Sequence, residues 1–204
     1  VTLPRAPLPG FQGFATSGCM ILLRHGQSEF NAAFSVTRVD PGIADPKLTP
    51  LGREQAEAAA EALAGERIAR IICSPFTRAL QTAAIVAGRL SLPVVVNPIV
   101  RERCAFHCDI GTPTSALARA WPDLDFSHID EQWWPTLEES EAETEARAAA
   151  FRAEMAALPD WSDTLVVTHW GFILCMTGER VQNCEWRRCD PTAPGPEAVP
   201  WLKM

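Results

Sequence analysis

The sequence predicts an α/β fold, a three-layer sandwich with a mainly parallel central sheet and helices on both faces. Three observations predict it. Short, continuous apolar runs recur along the chain, as expected of strands covered on both faces. The runs alternate with longer segments opened by cap and proline pairs, which mark helix starts. Several runs end in polar residues able to do chemistry, and in parallel sheets ligands bind beyond the carboxyl ends of the strands.

In order along the chain, residues 1–18 carry Pro4, Pro7, Pro9, Gly10, Gly13 and Gly18 and read as an irregular arm, with no sustained period. One domain is expected over residues 19–189. Met20 to Leu23 is the first strand and ends at Arg24-His25-Gly26. Thr49-Pro50 caps and opens a helix that runs through an alanine-rich stretch to Ala64 and closes at Gly65. Ile68 to Cys73 is the second strand. Ser74-Pro75 repeats the cap and proline device and opens a helix to about Leu90. Val94 to Val96 is β-branched and forms the third strand. Residues 98–135 read as irregular. The spacing of Thr136 and Glu139 matches a capping box, which predicts a helix to about Leu158 with solvated acids over Glu138 to Glu145 at its start. Thr164 to Thr168 is another strand, ending in His169-Trp170-Gly171 and followed by a short apolar helix. A last strand is expected over Val181 to Trp186, and the prolines of residues 190–204 predict an irregular tail.

Composition narrows the function. The chain has 204 residues, enough for one well-buried domain, and 47% of them are hydrophobic. A formal net charge of -7 disfavours nucleic acid and anionic membranes as partners, so any phosphate site must be a local basic island. No apolar stretch approaches the roughly 20 residues of a membrane span, and no basic segment followed by a long apolar one begins the sequence. The expected location is the cytoplasm. Seven scattered cysteines fit reduced thiols better than a disulfide framework. Cys104, His107 and Cys108 lack a second ligand pair at zinc spacing, so no metal and no cofactor is expected.

Three strand ends deliver Arg24 and His25, then Ser74 with Arg78 one helical turn on, then His169. Arginine offers planar paired donors suited to phosphate, so two guanidiniums and two imidazoles in one crevice imply a phosphoryl ligand. A neutral imidazole can attack phosphorus and be regenerated by hydrolysis, while a second imidazole donates to a phosphate oxygen. The residue types do not rank the two histidines. Ser28 lacks the strand-to-helix elbow and the partners of a serine nucleophile, and a phosphate hydrogen bond suits it better. His128 has no motif around it, and Trp121, Trp133 and Trp134 read as core or lid packing.

The run Arg24-His25-Gly26-Gln27-Ser28-Glu29-Phe30-Asn31 resembles the signature of the histidine phosphatase superfamily, in its phosphoglycerate mutase-like branch. Asp45-x-x-Leu48-Thr49-x-x-Gly52-x-x-Gln55-Ala56, Ser74-Pro75-x-x-Arg78-Ala79-x-Gln81-Thr82 and Thr168-His169-x-Gly171 follow in that family's order. The resemblance implies a phosphohistidine on His25, with Arg24, Arg78 and His169 around the phosphoryl oxygens and Asn31 and Ser28 as further phosphate contacts. It also implies that Glu102 is the proton donor to the leaving alkoxide. Such an acid must hold its proton, so its pKa must be raised, and Arg101 and Arg103 on either side are expected to oppose that. Where mutases of the family continue with a His-Tyr-Gly segment, this chain reads Arg103-Cys104-Ala105-Phe106-His107-Cys108 and has no tyrosine. Hydrolysis of phosphomonoesters is therefore expected ahead of phosphate migration between hydroxyls, and ahead of a binding-only protein that has lost turnover. Sugar phosphates, phosphoglycerates, nucleotides and phosphoproteins all remain as substrates, and no surface is assigned to an oligomer.

Overall fold

A computed structural model describes residues 18–136 and 138–201. Nearly all of the expected N-terminal arm therefore lies outside the described residues, as do Leu137 and residues 202–204 of the expected tail.

The strands are β1 (Met20–Arg24), β2 (Arg70–Cys73), β3 (Val94–Val96), β4 (Thr164–Thr168) and β5 (Trp186–Cys189). The helices are α1 (Glu29–Thr37), α2 (Pro50–Leu63), α3 (Thr77–Leu90), α4 (Thr114–Ala120), α5 (Glu141–Ala156) and α6 (Trp170–Thr177). The strands form one sheet in the order β3-β2-β4-β1-β5. All neighbours are parallel except β1 and β5, which pair antiparallel.

The continuous apolar runs are explained by a core on each face. Successive strand side chains point to opposite sides, so Ile21 and Leu23 pack with Ile71, Leu165 and Val167 against α2 and α3. Met20 and Leu22 pack with Ile72 and Val166 against α5 and α6. Because β4 lies between β2 and β1 and all three run parallel, the carboxyl ends of β1, β2 and β4 lie side by side.

Several boundaries depart from the expectations. Ser74-Pro75 does not open α3, which starts at Thr77 after Phe76, a residue with no capping side chain. Asp45 does the capping from a distant loop, its Oδ1 accepting from Thr77 N at 2.8 Å and its Oδ2 from Thr77 Oγ1 at 2.6 Å. The Ser74 hydroxyl makes only a long contact here, accepting from Phe76 N at 3.4 Å. Likewise α5 begins after Ser140, not Thr136, with a capping box to Glu143. Glu139 is not a solvated acid at a helix start but is buried between Arg101 (2.8 Å) and Arg147 (2.7 Å). The last strand lies one segment later than expected, because Cys184 has φ 56 and bends the chain before Trp186 comes into register with Leu23. Helix α1 went unpredicted although Ser28 and Asn31 form a capping box at its start, and the segment read as irregular contains α4.

Residues 190–201 have no helix or strand, yet they are fastened. Arg152 donates to the Asp190 and Ala193 carbonyls at 2.8 and 3.3 Å, and Val199 and Trp201 pack on the α5–α6 face. Among the described residues no helix is long and apolar enough to cross a membrane.

Candidate active site

Immediately after β1, His25 N donates to Thr168 O at 3.0 Å, so the residue is held by the neighbouring strand that carries His169. The two imidazoles face each other with centroids 5.0 Å apart. His25 Nδ1 lies 2.7 Å from Gly26 O. A carbonyl can only accept, so Nδ1 carries the proton and Nε2 keeps its lone pair. Burial, then the Arg78 and Arg24 charges, hold the ring well below the ordinary histidine pKa. The ring is neutral at physiological pH.

The loop after β1 is fixed by main chain packed on main chain. A Cβ on Gly26 would stand 2.2 Å from Gly52 O, and one on Gly52 would stand 2.1 Å from Gln27 O. Only glycine permits this approach. Gln55 and Thr82 accept from Gln27 N and Gly26 N at 2.8 and 3.1 Å, which ties the first motif to α2 and α3.

His169 sits at the end of β4 and its Nε2 lies 2.8 Å from Ser74 Oγ, the hydroxyl that α3 does not use. Its pKa is pushed well down, by burial first and then by Arg78. Phe76 packs on its ring at 5.3 Å and is backed by Trp133 at 4.7 Å, so Trp133 is core packing behind the site. Arg78 is held over Phe76 at 4.3 Å, with Nη1 donating to Cys108 O at 2.7 Å and Nη2 to Asp109 at 3.1 Å. Arg24 Nη1 donates to Val181 O at 2.9 Å, and burial lowers its pKa to about 10, which leaves it charged at neutral pH. Among the described residues, four buried side-chain polar atoms have no hydrogen-bond partner, Arg101 Nε, Thr164 Oγ1 and, in this crevice, Arg24 Nε and His169 Nδ1. An unpaired buried polar atom costs about 1–3 kcal/mol, and the last two are placed where a ligand could supply the partner.

Glu102 follows β3 and reaches α6. Its Oε1 accepts from Gly171 N at 3.0 Å and Arg103 N at 2.9 Å. A Cβ on Gly171 would fall 2.5 Å from that oxygen, which accounts for the glycine in Thr168-His169-x-Gly171. Burial and then Asp109 raise the Glu102 pKa, against the Arg103 and Gly171 amides and Arg78. The expected opposition from the side chains of Arg101 and Arg103 is not what acts. They are turned to Glu139 and Glu138, at 2.8 and 2.9 Å.

Asn31 Oδ1 accepts from Ser28 N and from Asn183 Nδ2, each at 3.1 Å, and this orientation keeps its own amide N–H group available. The buried Ser28 hydroxyl accepts from Asn31 N at 3.2 Å as the α1 cap, which uses its lone pair and not its own O–H. His128 donates to or accepts nothing catalytic; its Nε2 lies 2.8 Å from Val96 O.

The sequence reading missed Asp109, Asn183, Arg147 and Trp201. Asn183 Nδ2 also donates to His25 O at 3.2 Å. Arg147 donates to the carbonyls of Ile99, Arg101 and Glu102 at 2.9, 2.7 and 3.3 Å, clasping the chain that carries Glu102. Trp201 lies under the Arg103 guanidinium at 5.5 Å and against Trp170 at 6.3 Å. None of these carries a local signal, since each is brought in by tertiary packing. A cavity of about 550 Å³ lined in part by Asp40, Phe106, His107, Trp134 and Glu138 shares no residue with the cluster of Arg24, His25, Arg78, Glu102 and His169.

Comparison with known proteins agrees with this geometry. The family model described as histidine phosphatase superfamily (branch 1) matches residues 20–192. A glucosyl-3-phosphoglycerate phosphatase of Mycolicibacterium vanbaalenii is 32% identical over 171 residues, covering 78% of this chain and 72% of that protein. A probable phosphoglycerate mutase GpmB of Yersinia enterocolitica is 28% identical over 206 residues, covering 90% and 87%. Among solved structures, the mycobacterial glucosyl-3-phosphoglycerate phosphatase in complex with VO3 superposes with a TM-score of 0.59 at 27% identity, covering 83% of this chain and 91% of that one.

Proposed function

The chain belongs to the histidine phosphatase superfamily, branch 1, and from that premise we propose that it is a metal-independent hydrolase of small phosphomonoesters that works through a phosphohistidine on His25. The observation that carries this reading is the neutral His25 with its Nε2 lone pair, set among Arg24, Arg78 and His169 at three adjoining strand ends. Nε2 attacks phosphorus in line, and the bond to the ester oxygen breaks as Glu102 delivers its proton to that oxygen. The equatorial oxygens lie against Arg24, Arg78 and the His169 imidazole, with the Asn31 amide as a further donor. Glu102, now a carboxylate, takes a proton from water, which attacks the phosphohistidine and releases inorganic phosphate.

Depth favours a slender substrate. His25 is 3% exposed, Arg78 2% and His169 0%, so the phosphorus must enter below the surface, which suits a small ester better than a phosphorylated side chain on a folded protein. The named activity of the mycobacterial relatives, on a glucosyl phosphoglycerate, directs a first screen to sugar and glycerate phosphates. The GpmB relative bears a mutase name, but the segment after Glu102 departs from the mutase pattern, which supports hydrolysis.

Hydrolysis of an aryl phosphate in excess EDTA, by wild type and by His25→Ala, tests the proposal, with mass spectrometry of the peptide that contains residue 25. Chelator-resistant turnover with a labelled His25, both absent from the variant, is expected. Folded wild type that neither turns over nor labels with any phosphomonoester screened would overturn it.

A further inference from the structure

We propose that Asp109 is a positioning residue for this reaction, a fixed anion that both locks the Arg78 guanidinium and keeps Glu102 in its acid form. The inference rests on the phosphatase reading above. Asp109 and Arg78 are both buried and pair at 3.1 Å. Four groups approach the two Asp109 oxygens. Arg78 Nη2 and the Cys108 thiol meet Oδ1 at 3.1 and 3.5 Å, and the amides of Ala105 and Phe106 meet Oδ2, each at 3.1 Å. Every neighbour is a donor and favours the carboxylate form, against burial, which raises the Asp109 pKa.

Two consequences follow from that fixed charge. The first is geometric. Arg78 spends one terminal nitrogen on Asp109 and the other on Cys108 O, so its fork is held in one plane and its remaining N–H groups have a set direction before phosphate arrives. The second is electrostatic. The charged groups acting on Glu102 come from each element around it: Arg78 on α3 and Arg24 on β1 favour its carboxylate, Asp109 on the loop disfavours it, and the amides of Arg103 and Gly171 favour it. Cys108 and Cys175 also face it, but burial keeps both thiols protonated. Asp109 thus opposes the ionisation of Glu102, so the residue that orients the phosphate clamp also favours the acid form.

The test compares wild type, Asp109→Asn and Asp109→Glu, all checked for cooperative thermal unfolding, with glycerol phosphate and para-nitrophenyl phosphate as substrates. In Asp109→Asn the alkaline limb of kcat for glycerol phosphate is expected to move down by about one pH unit, because Glu102 then loses its proton sooner. The nitrophenyl ester, whose leaving group departs without protonation, shows little movement. Inhibition by inorganic phosphate weakens by roughly tenfold as Arg78 loses its anchor. Asp109→Glu keeps the charge, so its limb stays near that of wild type while phosphate inhibition still weakens. An unmoved limb with unchanged phosphate inhibition in Asp109→Asn overturns the assignment. Should that variant not fold, Asp109→Glu decides: phosphate inhibition equal to that of wild type overturns the proposal. Active wild type with a labelled His25 separates these outcomes from a failure of the phosphatase reading.

Discussion

Replacing Arg147 by methionine removes the clasp on the segment that bears Glu102 while keeping an unbranched apolar stem. The structure sets the size of the effect. Three carbonyls, of Ile99, Arg101 and Glu102, lose their donor, and at about 1 kcal/mol for each orphaned buried acceptor this alone amounts to roughly 3 kcal/mol. Glu139 also loses its contacts to Arg147 at 3.0 and 2.7 Å and retains Arg101 and the Cys104 amide, at 2.8 and 3.4 Å. Breaking one side of a buried ion pair costs about 3–5 kcal/mol on its own. The two contributions overlap because they share one side chain, so the expected loss is about 3–5 kcal/mol in all. For a domain of this length each kcal/mol corresponds to roughly 2–4 °C, and calorimetry should record a fall of about 6–20 °C. Below that transition, kcat for an alkyl phosphate should drop by at least roughly tenfold as Glu102 loses alignment. A fall equivalent to less than about 1 kcal/mol, with kcat intact, would refute the idea that this network holds the proton donor.

Gly171→Ala pushes a methyl into Glu102 Oε1, at 2.5 Å; kcat for an alkyl phosphate should fall by about 100-fold while the nitrophenyl ester loses under about tenfold, and equal losses would count against Glu102 as the acid. Asp45→Ala removes the remote cap of α3 and the partner of Thr112 Oγ1 at 2.5 Å, and should cost about 2 kcal/mol in urea unfolding. His25 and His169 are held neutral in the fold, so the unfolded chain binds more protons below about pH 6.5 and stability should fall as pH drops from 7, by up to about 1.4 kcal/mol per unit for each ring. Glu102 and Asp109, with raised pKa values, act with the opposite sign as pH falls towards the ordinary carboxyl range. Urea midpoints of wild type and His25→Asn between pH 7 and 6 check this: the variant should lose about half of the slope.

Most of the sheet was legible because both faces are covered, which turns β1, β2 and β4 into unbroken apolar runs. Arg24, His25, Arg78 and His169 were legible for a related reason, since strand ends in such a sheet point to one crevice. What escaped the sequence depended on partners far away in the chain. Ser74-Pro75 has the form of a helix start, but Asp45 supplies that cap from another loop. Thr136 and Glu139 have capping-box spacing, but two arginines draw Glu139 into the interior, so Ser140 takes the role. Asp109 lies in the segment read as irregular, and only its contact with Arg78 reveals its place.

The contact of Gly26 with Gly52 has a practical consequence for anyone wishing to retrain this enzyme on a new ester. Where two peptide planes already touch, a mutagenesis library has nothing to sample: any added carbon at either position lands about 2 Å from a carbonyl oxygen. Diversity belongs instead in residues 30–47 and 103–136 other than Asn31, Asp45, Asp109 and Trp133, where side chains can vary without disturbing the backbone seam beside His25. The chemistry is thereby insulated from the choice of alcohol, and selection can act on one while leaving the other alone.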